Sequence, residues 1–130
     1  EDIVKKKLED GGSLLVYVSK SSIYDKSFEE NFKKYISLCD RVTDPEALRI
    51  IDEVEDIIGA AEVGSEMVSL MRRGVVVHHG SVPLNVRFLI EKFTNARYAK
   101  ICFATSTLIQ GVNMPFDIVW IDNIFVNFNV

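Results

Sequence analysis

Four short apolar runs, each flanked by polar residues, constrain this chain more than any other feature. They are Leu14 to Val18, Val75 to Val77, Ile101 to Phe103 and Ile118 to Ile121, the last two lying in strands expected over Lys100 to Phe103 and Asp117 to Ile121. None shows the strict polar–apolar alternation of a strand with one wet face. Runs that are apolar throughout suit strands covered on both sides. Helical periods separate them, so the order reads as βαβ units around a parallel sheet. In such sheets the carboxyl ends of the strands face the ligand crevice. The polar turns after Val18, Val77 and Phe103 all follow strands. They are therefore expected to meet at one edge of the sheet although they are far apart in sequence.

The helical stretches are legible in the same way. Phe28, Phe32, Tyr35 and Ile36 recur at helical spacing. Thr43-Asp44-Pro45-Glu46 carries a Thr-x-x-Glu capping-box pattern with proline in the first turn. Ala47, Ile50, Ile51, Val54 and Ile58 then make one apolar face, and Gly59 is a plausible stop. A second helical piece is expected from about Ser65 to Arg73, ending at Gly74. Arg72-Arg73 would lie against the carboxyl end of that helix dipole. Pro83 opens another helix, with Val86, Leu89, Ile90 and Phe93 on its inner face. The tail from Phe125 to Val130 has no decisive pattern, a last strand being one reading.

At 130 residues the chain can bury the core of one domain, 1–130. An apolar content of 48% is that of an ordinary globular protein. A net charge of −4 lacks the basic footprint of a stand-alone nucleic-acid binder, so any such contact would be local or shared with another domain. The two cysteines, Cys39 and Cys102, form no C-x-x-C pair, and a reduced, intracellular setting is expected. No apolar run approaches the ~18 residues of a membrane span. The chain starts without methionine and stops in an apolar stretch, so an excised domain is expected.

The chemistry-bearing segment runs from Ala104 to Pro115. Thr105-Ser106-Thr107, then Gly111, then Asn113 sit where a strand ends and a short helix is expected to begin. Such a junction suits phosphate, because amides at a helix start lack partners and carry partial positive charge. Taken alone, three hydroxyls before a helix are also what an ordinary N-cap looks like. Ser19-Lys20-Ser21-Ser22 is likewise either a capped helix start or a second phosphate clamp. His78 and His79 are adjacent on an extended segment and point to opposite sides, which suits a shared metal poorly; one buried and one edge-facing histidine is the preferred reading. Cys102, one residue before Phe103 and inside an apolar run, would be a poor nucleophile. Arg87 and Glu91 read as a solvated pair, with Arg87 anchoring a nearby loop as the alternative. No Gly-Lys-Ser or Gly-Lys-Thr follows a glycine at Walker spacing, so the chain should not bind and hydrolyse a nucleotide alone.

Taken together, the residues resemble the second RecA-like domain of superfamily-two helicases, in particular the Ski-type DExH branch. The match runs from about Leu14 to Ile121. Its most specific part is Ala104-Thr105-Ser106-Thr107-Leu108-x-x-Gly111-Val112-Asn113-Met114-Pro115, which resembles the family's fifth motif. The resemblance implies a three-layer α/β fold with a mainly parallel sheet covered by helices on both faces. It implies that Thr105 and Ser106 hold a backbone phosphate of single-stranded DNA or RNA. Ser19 and Lys20 would lie along the same strand, and His79 and Gly80 would line the same edge. Gly111 and Asn113 would face the nucleotide. ATP and Mg²⁺ would be held mostly by the first RecA-like domain of the same protein, which carries the Walker loop. The sixth motif, expected after the last strand, is not within these residues, so the isolated piece is expected to lack ATPase activity. Gln110 and Asn113, where many DEAD-box relatives have Arg and Asp, favour the Ski-type branch. Two other readings are a RecA-like regulatory or protein-interaction module without motor chemistry, and a flavodoxin-like or Rossmann-like binder. The latter lacks a Gly-x-Gly-x-x-Gly signature.

Overall fold

A computed structural model of the chain describes residues 2–78, 80–105, 115–121 and 124–127. Its elements in order are α1 (Ile3–Glu9), β1 (Leu14–Tyr17), α2 (Lys20–Tyr24), α3 (Ser27–Asn31), α4 (Lys33–Ile36), α5 (Pro45–Ile58), α6 (Glu62–Met71), β2 (Val75–His78), α7 (Leu84–Asn95), β3 (Ile101–Ala104), β4 (Ile118–Ile121) and β5 (Ile124–Asn127). The strands form one sheet in the order β2-β3-β1-β4-β5. The pairs β2–β3, β3–β1 and β1–β4 are parallel; β5 closes the sheet antiparallel to β4.

Three of the apolar runs form strands buried on both faces, β1, β2 and β3; β4 is buried only at Ile118 and ends exposed at Ile121. Leu15, Val76, Cys102 and Ala104 face α5, α6 and α7 in one core cluster. Leu14, Val16, Val75, Val77, Ile101, Phe103 and Ile118 join residues of α1 to α4 in the other. Alternate residues therefore feed alternate cores, and the domain has three layers. In the second core the Phe103 ring lies 4.8 Å from Phe28 and 5.5 Å from Phe32, and Phe32 meets Trp120 edge-on at 5.3 Å. Offset and edge-to-face pairs of this kind contribute about 0.5–1.5 kcal/mol each beyond their burial.

Several local expectations shift. The cap of α5 is Asp44, one residue later than the Thr43 box; its Oδ1 accepts from the amides of Glu46 at 2.9 Å and Ala47 at 3.3 Å. The α6 helix starts at Glu62 and takes Gly64 into its buried face. A Cβ on Gly64 would stand 1.9 Å from the Ile58 carbonyl oxygen, so only glycine allows the close approach at the α5–α6 turn. Gly59 ends α5 with an ordinary right-handed φ of −66°, whereas Gly74 ends the α6 segment at φ +74° and uses its freedom to turn into β2. The aromatic run splits at Phe32 (φ −114°), which serves as the end of α3 and the start of α4. Arg72 and Arg73 do not serve their own helix end. Arg72 pairs with Asp52 and Glu55 of α5, and Arg73 donates to the carbonyls of Ile36, the last residue of α4, and of Cys39 beyond it. Helix α1 is an addition to the elements expected above; its signal is Asp2, whose side chain accepts from the Lys5 amide, followed by Val4 and Leu8 one turn apart. Among the described residues no helix is long and apolar enough to cross a membrane.

Candidate nucleic-acid interface

The strand order brings the carboxyl ends of β1, β2 and β3 to one rim. β2, β3 and β1 are adjacent and parallel, and Ala104 is the register partner of both Tyr17 and His78. The Val18 amide donates to the Ala104 carbonyl at 2.9 Å, which carries the ladder one residue past β1. Thr105 thus follows β3 directly between the ends of its two neighbours. It is buried at that rim, 8% exposed.

On the β1 side, Ser19 is exposed and extended (φ −75°, ψ 157°), and its Oγ accepts from the Ser22 amide at 3.1 Å. Its hydroxyl is therefore the N-cap of α2, the first of the two readings open from sequence. Lys20 is exposed in the first turn of that helix. On the β2 side, Gly80 is exposed, and a Cβ there would meet nothing within 4 Å. His79, Ser106, Gly111 and Asn113 lie outside the described residues.

His78 is the residue that the sequence pointed to only indirectly. The strand continues one position beyond Val77, so its imidazole is buried with Val76 on the α7 side. Among the described residues its Nε2 has no hydrogen-bond partner. Burial, and then the charge of Arg87, push its pKa down to about 4, so it is neutral in ordinary buffers. Arg87 is half-buried on α7, close enough to His78 to bear on its titration, and not the fully solvated residue of the surface-pair reading. Burial also pushes the Cys102 thiol far up and the Cys39 thiol to about 11, which keeps both protonated and inert.

Chemically, the rim combines strand-end main chain, hydroxyls and one lysine, groups that bind phosphate oxygens without reading bases. The class the fold defines is a RecA-like α/β domain. No protein-family model matches the chain. It is 30% identical over 109 residues to ATP-dependent DNA helicase Hel308 of Caldivirga maquilingensis, covering 83% of this chain and 14% of that protein. It is 34% identical to Hachiman protein HamB of Bacillus cereus, over 91% of this chain and 10% of that protein. It is 43% identical over 47 residues to antiviral helicase SKI2 of Saccharomyces cerevisiae, over 36% of this chain and 4% of that protein. The chain thus spans a seventh or less of the curated relatives named here. The identity to Hel308 across 83% of the chain shows that it belongs to the superfamily-two helicases, as a helicase-related fragment.

Proposed function

We propose that this chain is the second RecA-like lobe of a Ski-type DExH helicase, the half that grips a nucleic-acid strand. In this reading Thr105, with Ser106 beside it, holds a backbone phosphate of single-stranded DNA or RNA. Ser19 and Lys20 continue the path on the β1 side, and His79 and Gly80 on the β2 side. Gly111 and Asn113 face the nucleotide. ATP and Mg²⁺ are held chiefly by the first RecA-like domain of the same intracellular protein, and closure of the two lobes on ATP tightens the grip on the strand. Contacts to phosphate alone tolerate any base sequence, as a translocating motor requires.

One observation carries the reading: three adjacent parallel strands end at a single rim, and each is followed by a turn with groups that suit phosphate. The helicase relatives support it. The test is Thr105→Ala in the intact parent. Loss of one hydrogen bond to a charged phosphate should weaken strand affinity about tenfold, or leave ATP hydrolysis no longer stimulated by the strand. Unchanged affinity together with unchanged stimulation would refute the assignment. The isolated residues 1–130 should show no ATPase activity, and robust hydrolysis by them would contradict the division of labour.

A further inference from the structure

A cleft between the α2–α3 corner and α6, beside β2, has no part in the interface described above. Its volume is about 210 Å³. Phe28, Met67, Leu70 and Val77 supply apolar walls, and Tyr24 and Val63 stand at the solvent side, 65% and 57% exposed. Small-molecule sites usually enclose about 300–1,000 Å³. This cleft suits a single inserted side chain better than a cofactor.

A salt bridge straps the cleft. Lys26 Nζ reaches Glu66 Oε1 at 2.6 Å, from the α2–α3 corner to α6. Lys26 holds φ at +65°, a left-handed conformation that is unfavourable for a non-glycine residue. Strain of this kind persists where the surroundings fix it, and it concentrates at clamps and binding sites. Glu29 and Glu66 line the cleft with Lys26, two carboxylates against one ammonium, and Glu62 adds to the negative field that Lys26 feels. That excess of negative charge repels a polyphosphate and attracts a cation.

We propose that this cleft docks a short segment of a protein partner, with one large apolar side chain next to a lysine or arginine. The apolar side chain fills the space between Phe28 and Met67. The neighbouring cation competes with Lys26 for Glu66 and draws on the carboxylates of Glu29 and Glu62. Apolar anchors seated in pockets inside a charged rim are the usual source of affinity in small interfaces. The proposal is separate from the strand-binding reading and uses none of its residues.

The test is selection from a displayed random-peptide library on the 130-residue chain, followed by titration of the enriched peptides. Enriched sequences should share an apolar residue flanked by Lys or Arg. Val63→Asp and Glu66→Lys should each weaken binding about tenfold or more, and added salt should weaken it further. Val63 is solvent-facing, so Val63→Asp should keep the wild-type melting temperature; Glu66→Lys also breaks the exposed Lys26 pair and should lower it by a few degrees at most; Thr105→Ala should bind as the parent does. Four outcomes would overturn the proposal: enrichment of nothing, or of acidic sequences; undiminished binding to Val63→Asp; displacement of the peptide by a single-stranded oligonucleotide; or concentration-dependent self-association in sedimentation that Val63→Asp abolishes, which would make a second copy the occupant.

Discussion

His78 should make this domain lose stability in mild acid. The imidazole is 5% exposed, and its pKa falls from an unfolded value of 6.5 to about 4. Between those values the unfolded chain binds the proton and the folded one does not, so stability rises with pH across the window. The contribution is fully present above 6.5, is lost as pH falls toward about 4, and changes no further below that. Integrating the difference gives a loss of about 2 kcal/mol between pH 7.5 and pH 5, and about 3 kcal/mol by pH 4. The Asp2 carboxyl does not overlap with this, because its pKa, lowered to about 2 chiefly by the Lys5 amide, places its own contribution below 3.8. The assay is urea unfolding followed by circular dichroism at several pH values from 7.5 to 5. With a slope of about 1–3 kcal/mol per molar urea, the wild-type midpoint should drop by about 1 M. His78→Leu removes the titrating group, and His78→Gln keeps a polar side chain should the leucine fail to fold. Either variant should lose far less than the wild type over the same range. An equal drop in variant and wild type, or a flat wild-type midpoint, would refute the reasoning.

Three further outcomes follow from the packing. Phe103→Ala should destabilise the domain by about 3–5 kcal/mol in chemical denaturation, since the ring is fully buried between Phe28 and Phe32; a cost under 1 kcal/mol would contradict the aromatic cluster. Asp44→Ala should cost about 1 kcal/mol by leaving the Glu46 and Ala47 amides without their cap, and Thr43→Ala should cost much less; the reverse order would restore the capping box at Thr43. Gly64→Ala should cost about 1–3 kcal/mol despite alanine's better helix propensity, because the added methyl meets the Ile58 carbonyl; a gain in melting temperature would show that the approach can relax.

The sequence was most informative where structure depends on short-range pattern. Leu14 to Val18 and Val75 to Val77 read as buried strands because continuous apolar runs cannot be solvated. Both runs end within one residue of β1 and β2. The apolar face of α5 was named residue by residue, because Ala47, Ile50, Ile51 and Val54 repeat at the helical period. The details that slipped were decided by neighbours in space. Phe32 breaks its helix where its ring meets Phe103 and Trp120. Arg73 serves carbonyls near a helix more than thirty residues away in sequence. His78 is buried because α7 covers that face of β2, a contact no local window contains.

By itself, then, the sequence determined the alternation of strand and helix and the polar residues that follow β1, β2 and β3, since both follow from side-chain period and local chain stiffness. Only the tertiary structure decided the order β2-β3-β1-β4-β5, which puts the carboxyl ends of β2, β3 and β1 side by side, together with the burial of His78 and the strapped cleft beneath Lys26. Those features arise from contacts between segments far apart along the chain, and their energies depend on which surfaces meet.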